Sequence, residues 1–287
     1  MQTLFKRTTL TLIFTLFSLS SFAHTQCKMP KDEVLTIGCS YGCKYFYRKA
    51  LYRFASKKGY KLKLVNMLAE NNIKFEELDG IVMPGGADIN PEYYKNRVED
   101  ELRTRIEELD YLVNYSAEGD MRDPFEYDML QKYFADDKNK DLPILGICRG
   151  MQMLAVSQGI PLIVDIKEEI GIKNRRYLLD RVYLNDEPSL IKSILKYSSF
   201  RGYKYHHQGI RIDYFKQHQA ERWPDIKLTA YSNRGRIAEA MEFEGRPILG
   251  TQFHPEIDFW TERKRIFSWL LDQSCENHNK KMANIHR

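Results

Sequence analysis

The 287-residue chain has no block of like charge: its 44 basic and 39 acidic residues are interspersed, for a net charge of +5. Neither a nucleic-acid-binding arm nor a polybasic membrane patch is therefore indicated. It carries no P-loop or other nucleotide-phosphate signature, no internal repeat and no low-complexity tract, which argues against an ATP-dependent activity of its own. Cysteine is scarce, with five residues. Cys39 and Cys43 stand in a GCSYGC spacing with no second pair elsewhere, so the spacing argues against a zinc ligand set. No undiluted apolar run reaches the length of a bilayer span, so a retained membrane anchor is the alternative and not the leading reading of the N-terminal run. The longest, Leu10 to Phe22, is diluted by Thr11, Thr15, Ser18, Ser20 and Ser21, whereas a spanning helix needs about 20 predominantly apolar residues.

That run reads instead as an address. Lys6 and Arg7 precede it, and Ser21-Phe22-Ala23 follows with small residues at the two positions a signal peptidase reads. The expected organisation is a signal peptide over residues 1–23, an N-terminal linker over 24–34, one domain over 35–274 and a frayed polar tail over 275–287. The expected destination is export, to a periplasm or the medium. Cys27 lacks the small preceding residues of a lipoprotein signal. All five cysteines would then meet an oxidising compartment. With Cys148 set aside, Cys27, Cys39, Cys43 and Cys275 permit two disulfides in any of three pairings.

Apolar periodicity predicts strands over 33–38, 61–65, 79–83 and 144–147, with helices over 45–58 (Phe46, Leu51 and Phe54 on its apolar face) and 124–134. The charged stretch 96–123 reads as a surface excursion. Strands alternating with helices imply a three-layer, mostly parallel α/β sheet with its sites at the carboxyl ends of the strands. Further strands over 179–184, 209–212, 226–231, 237–243 and 248–253 suggest an antiparallel extension, closed by a helix over 261–271.

Two places carry chemistry. In LPILGICRGMQM, a buried strand runs into a sharp turn bracketed by Gly146 and Gly150, with Cys148 at its tip. The G-x-C-x-G pattern suits a nucleophile elbow, where the tip residue is strained and neighbouring backbones come close. The thiol would stand at a helix N-terminus, which favours thiolate. In TQFHPE, His254 and Glu256 lie two apart at a strand end, and Pro255 biases His254 toward an extended conformation. Imidazole and carboxylate at that spacing can serve as base and orienter, making Cys148, His254 and Glu256 a candidate triad.

PGGADINPEYY (84–94), GICRGMQ (146–152), YHHQ (205–208) and FHPE (253–256) together resemble, in order, the class I glutamine amidotransferase superfamily. Within it they look most like the γ-glutamyl hydrolase branch, which includes γ-glutamyl-γ-aminobutyrate hydrolases (peptidase C26-like). The resemblance covers about 35–271 and implies a flavodoxin-like sheet and hydrolysis of a γ-glutamyl amide through a thioester on Cys148, without a cofactor or metal. It implies oxyanion donors at the backbone N–H groups of Gly86 and Arg149, and substrate contacts at Gln152, His206 and Gln208. Arg122, Asp123 and Glu126 match an RDxxE pattern of the branch. Arg122 is a candidate substrate ligand, with bracing of Glu126 one turn on as the alternative.

The chain departs from the branch at Tyr203-Lys204, Gly159-Ile160 and Val164-Asp165, all bordering the expected substrate and so bearing on the leaving amine. The expected partner is a small-molecule γ-glutamyl substrate, with no nucleic acid and no membrane after signal cleavage; a homodimer is compatible with the reading. Two other classes remain open in the sequence: an amidotransferase passing ammonia to a synthase, and a non-catalytic binding protein on the same scaffold. Export and the intact triad favour hydrolysis.

Overall fold

The computed structural model describes residues 27–30, 32–70, 72–172, 178–258 and 264–285. The expected signal peptide and the predicted start of the closing helix at Thr261 lie outside these residues. The strands are β1 (Val34–Cys39), β2 (Lys61–Asn66), β3 (Gly80–Met83), β4 (Ile144–Ile147), β5 (Leu162–Ile163), β6 (Leu178–Leu184), β7 (Ser199–Lys204), β8 (Gly209–Ile210), β9 (Ile226–Ser232), β10 (Ile237–Phe243) and β11 (Ile248–Thr251). The α-helices are α1 (Tyr45–Lys58), α2 (Asp100–Glu108), α3 (Ala117–Ala135), α4 (Arg149–Ser157), α5 (Ile166–Ile170), α6 (Leu190–Leu195), α7 (Ile212–Arg222) and α8 (Arg265–Ile285).

The main sheet runs β2-β1-β3-β4-β11-β10-β9-β6-β7. Its first five strands pair in parallel, and the pairs beyond β11 are antiparallel. This is the mostly parallel sheet with an antiparallel part that the alternation of elements predicts, flavodoxin-like as the resemblance implies. β3 and β4 are buried along their whole length because helices cover both faces, as continuous apolar strands require. Ile81, Met83 and Ile144 pack on one side with Leu130 of α3 and Met151 and Leu154 of α4. Val82, Leu145 and Ile147 pack on the other with Leu51 of α1 and Phe267 and Leu270 of α8. Side chains alternate across a strand, so one short apolar run supplies both cores.

Several boundaries differ from expectation. On α1 the buried face is Tyr47, Leu51 and Phe54, whereas Phe46 is half exposed; the i, i+4, i+7 stripe begins one residue later than predicted. α3 starts inside the expected surface excursion, capped by the Ser116 side chain on Gly119 N–H at 3.2 Å. Pro124 sits within it. β7 is not expected from its sequence, since SFRGYK mixes charge with glycine; it becomes a strand by pairing with β6.

The polar tail expected over 275–287 is instead the second half of α8, which runs to Ile285. Its polarity is used against the body of the protein: Asn277 donates to the Asp79 carbonyl, and His278 bonds both Asp79 and Glu33. Cys275 is fully buried and pairs with Cys27, while Cys39 pairs with Cys43. Of the three pairings the sequence allows, this one ties the N-terminal segment to the last helix, 248 residues away. Replacing Cys27 and Cys275 together by serine is expected to lower stability by about 2–4 kcal/mol, because so long a closed loop strongly restricts the unfolded chain. An unchanged urea midpoint would reject this.

Candidate active site

The end of β4 and the start of α4 form the elbow. Cys148 has φ 53 and ψ −107, a left-handed conformation that costs a non-glycine residue of order 1–3 kcal/mol. The bracketing glycines make the turn possible. A Cβ on Gly150 would stand 2.1 Å from the Met83 carbonyl oxygen, and one on Gly146 would stand 2.7 Å from the Gly150 carbonyl carbon. Cys148 N–H donates to the Thr251 carbonyl at 2.6 Å, fixing the elbow to β11, the strand that leads to His254.

His254 and Glu256 are both buried and joined, Nδ1 to Oε1, at 2.7 Å. The expected extended run through the pair is interrupted: Pro255–Ile257 forms a 3₁₀ turn, since proline suits a first helical position. Nevertheless the turn delivers the carboxylate to the ring. Gly85 shows where two members of the candidate triad, Cys148 and His254, come together. A Cβ built there would lie 3.1 Å from His254 Cε1, 3.3 Å from the Tyr47 hydroxyl and 3.4 Å from Cys148 Cβ. Burial pushes the His254 pKa down, but the charges of Glu256 and Cys148 outweigh it and hold the pKa well above the ordinary histidine value. The carboxylate on Nδ1 thus favours the protonated ring and leaves Nε2 unbonded among the described residues.

Arg122 is fully buried and does not reach the cavity as a substrate ligand; the bracing alternative holds. Its guanidinium donates to Glu126 Oε1 (Nε 3.0 Å, Nη2 2.8 Å), to Glu118 (2.7 Å), to the Gly85 carbonyl (3.0 Å) and to the Pro84 carbonyl (2.8 Å). Those last two bonds orient the loop after β3. In a trans peptide the N–H opposes the C=O, so with the Pro84 carbonyl on Arg122 the Gly85 N–H points away from it, donating to the Tyr47 hydroxyl at 3.0 Å. By the same geometry the Gly86 N–H faces away from Arg122. Gly86 lines a cavity of about 530 Å³ together with Cys148. The second expected donor, the Arg149 N–H, belongs to the first residue of α4, where no intrahelical acceptor exists.

Beneath this, Glu126 also accepts from Ser40 Oγ at 2.6 Å, and the Arg149 side chain pairs with Asp123 at 2.7 Å. Asp123 in turn accepts from Asn90 N–H at 3.0 Å. The RDxxE residues are therefore a buried ionic frame. Burial works against the charge of Arg122, but Glu126 and Glu118 prevail and raise its pKa. Arg122→Ala is expected to destabilise the fold by about 3–5 kcal/mol, because it removes the cation bonded twice to the buried Glu126 and leaves that carboxylate Arg149, at 3.1 Å, as its remaining ion-pair partner. Denaturation of the variant checks this; a loss under about 1 kcal/mol would contradict it.

Gln152, His206 and Gln208 all line the cavity, yet each is also engaged by the protein. Gln152 Nε2 donates to the Gln208 carbonyl at 2.9 Å, and Gln208 receives Ile89 N–H at 2.9 Å. His206 Nδ1 lies 2.8 Å from the Gln208 carbonyl, and burial, then Lys204, lower its pKa to about 3, so it is neutral. Of the departures, Lys204 is buried and pairs with Asp180 at 3.4 Å, and the Tyr203 carbonyl accepts His254 N–H. Sequence reasoning missed Tyr47, Asp88, Asp165 and His207. Tyr47 offered no signal within a tyrosine-rich helix. The other three sat inside stretches already singled out, but were not recognised as partners.

The peptidase C26 family profile matches residues 67–256. The chain belongs to the peptidase C26 family. Its fold is that of class I glutamine amidotransferases, and the family supports a cysteine-dependent, glutamine amidotransferase-like hydrolase. A candidate glutamine amidotransferase of Schizosaccharomyces pombe is 27% identical over 72% of this chain and 74% of its own length. A glutamine-hydrolysing GMP synthase component from Methanococcus aeolicus is 31% identical, over 42% of this chain and 53% of its own length. Among solved structures, the glutaminase domain of Trypanosoma brucei CTPS, with bound acivicin, shares the fold with a TM-score of 0.61 at 14% identity. That likeness covers 85% of this chain and 94% of that one.

Proposed function

We propose that this C26 protein is an exported hydrolase that cleaves γ-glutamyl amide bonds through a thioester on Cys148. The observation that carries the reading is the convergence of Cys148, at a strained elbow, with the His254–Glu256 pair around Gly85. Cys148 Sγ attacks the γ-carbonyl carbon, and the developing oxyanion is met by the N–H groups of Gly86 and Arg149. His254 gives its proton to the departing amine as the C–N bond breaks. Water then attacks the thioester, returns a proton to His254 and releases glutamate with Cys148 free.

Two disulfides tying the chain support an oxidising destination. Export predicts a mature N-terminus at His24, checked by the intact mass of the exported protein; a mass retaining Met1 would count against it. The relatives named for glutamine hydrolysis favour a second reading, glutamine cleavage with ammonia delivered to a synthase. One assay separates them. Purified protein is incubated with glutamine and a panel of γ-glutamyl amines, peptides and polyglutamates, and released glutamate is measured. Turnover of substituted amides without a partner supports the proposal; turnover of glutamine alone rejects it in favour of the second reading, and turnover of none rejects both.

A further inference from the structure

The middle residue of the YHHQ stretch, His207, has a carboxylate against each ring nitrogen, and Asn114 Nδ2, which donates to Asp88 Oδ2, lies 3.0 Å from Nε2. Nε2 lies 2.6 Å from Asp88 Oδ2, and Nδ1 lies 3.0 Å from Asp165 Oδ2. Carboxylates only accept, so both contacts are hydrogen bonds only when both ring nitrogens carry protons, that is, as imidazolium. Each partner belongs to a different wall of the cavity. Asp88 stands two residues beyond Gly86, and its Oδ2 also receives Asn114 N–H at 2.8 Å and Asn114 Nδ2 at 3.1 Å. Asp165 caps α5, with Oδ1 receiving Glu168 N–H at 2.8 Å. The His207 carbonyl accepts Ile166 N–H at 2.8 Å, and the adjacent Gln208 side chain holds Ile89 N–H. The Gly86 loop is therefore held from below by Arg122 and at its far end by the 207–208 segment.

We propose that His207 is a positioning residue: as imidazolium it pins Asp88 to Asp165 and so presets the loop that carries the Gly86 N–H for the oxyanion. The charged and titratable groups around it are Asp88, Asp165, the neutral His206 on its own loop, and Lys167, which lines the same cavity. Burial disfavours the charge on His207, but the two aspartates outweigh burial and raise its pKa. The pin is present below that raised pKa and lost as pH rises through it, when one aspartate is left facing a ring lone pair.

The inference rests on the hydrolase reading for its kinetic arm alone. Imidazole NMR of the wild-type protein is expected to show His207 doubly protonated at neutral pH, with a titration that moves to lower pH in both Asp88→Asn and Asp165→Asn. In His207→Gln, which can donate to one aspartate at a time, kcat on whichever amide turns over is expected to fall by about 100-fold, the scale of a misplaced catalytic donor. KM is expected to move by less than about threefold. The alkaline loss of rate that follows the His207 titration should disappear, and His207→Gln combined with Asp88→Asn should cost no more than the worse single change. Iodoacetamide labelling of Cys148 at the wild-type rate would show that the variant is folded and its nucleophile intact. A neutral His207 at pH 7, or an unchanged kcat in His207→Gln, would overturn the proposal; failure of every γ-glutamyl compound to turn over would instead reject the substrate reading.

Discussion

Cys148→Ala should abolish release of glutamate from γ-glutamyl amides, by at least about 10⁴-fold in kcat, the scale seen when a covalent nucleophile is removed. No neighbouring group can replace it: among the described residues it is the one cysteine outside a disulfide, and without the thiol there is no thioester to hydrolyse. The variant should remain folded, because the side chain lost is small and, although buried, borders the cavity. The elbow adds a second readout. Alanine keeps the positive φ of 53 and hence its strain, while glycine relieves it. Cys148→Gly should therefore melt above Cys148→Ala although both are inactive. Equal turnover by wild type and Cys148→Ala would refute the nucleophile; a glycine variant that melts lower would refute the strained elbow.

Glu256→Gln comes next in size, with an expected fall in kcat of about 10³–10⁴, as when the orienting carboxylate of a triad becomes an amide. The amide keeps the shape yet no longer stabilises imidazolium. Its effect on pH dependence has a definite sign. Burial lowers the His254 pKa, and Glu256 is the largest contribution raising it. Its loss moves the alkaline limb of kcat/KM to lower pH. Stability follows the same group. A histidine whose folded pKa is raised contributes stability that is complete below its unfolded pKa, near about 6.5, and is lost as pH rises through the folded value. The wild-type protein should thus lose stability on the alkaline side through His254, and Glu256→Gln should lose less over the same range. Thermal melts from neutral to alkaline pH measure both. An unmoved alkaline limb would sink the role given to Glu256.

Legibility divided along physical lines. The run Ile144 to Ile147 and its glycine-bracketed cysteine were readable because a fully buried strand must be apolar throughout and an elbow needs room for two backbones. Glu256 was readable by its spacing from His254, even though a 3₁₀ turn rather than extended chain brings them together. Arg122 shows the opposite. An arginine in a charged stretch carries no mark saying whether it meets a substrate carboxylate or two backbone carbonyls, and only the approach of α3 to the loop after β3 assigns it to the carbonyls. Likewise, nothing in HHQ tells which histidine is neutral. His206 is enclosed against a backbone carbonyl, and His207 meets two aspartates 119 and 42 residues away.

What the sequence determined alone was the alternation of buried strands and helices, the elbow at Cys148 and the three side chains proposed as a triad, all of which depend on neighbours within a few residues. Tertiary structure alone decided the pairing of the four other cysteines, the course of the last helix, and which charged side chains brace the site rather than line it. Burial and charge pairing arise between segments far apart in the chain, and the free energy of a charged group depends on what surrounds it after folding.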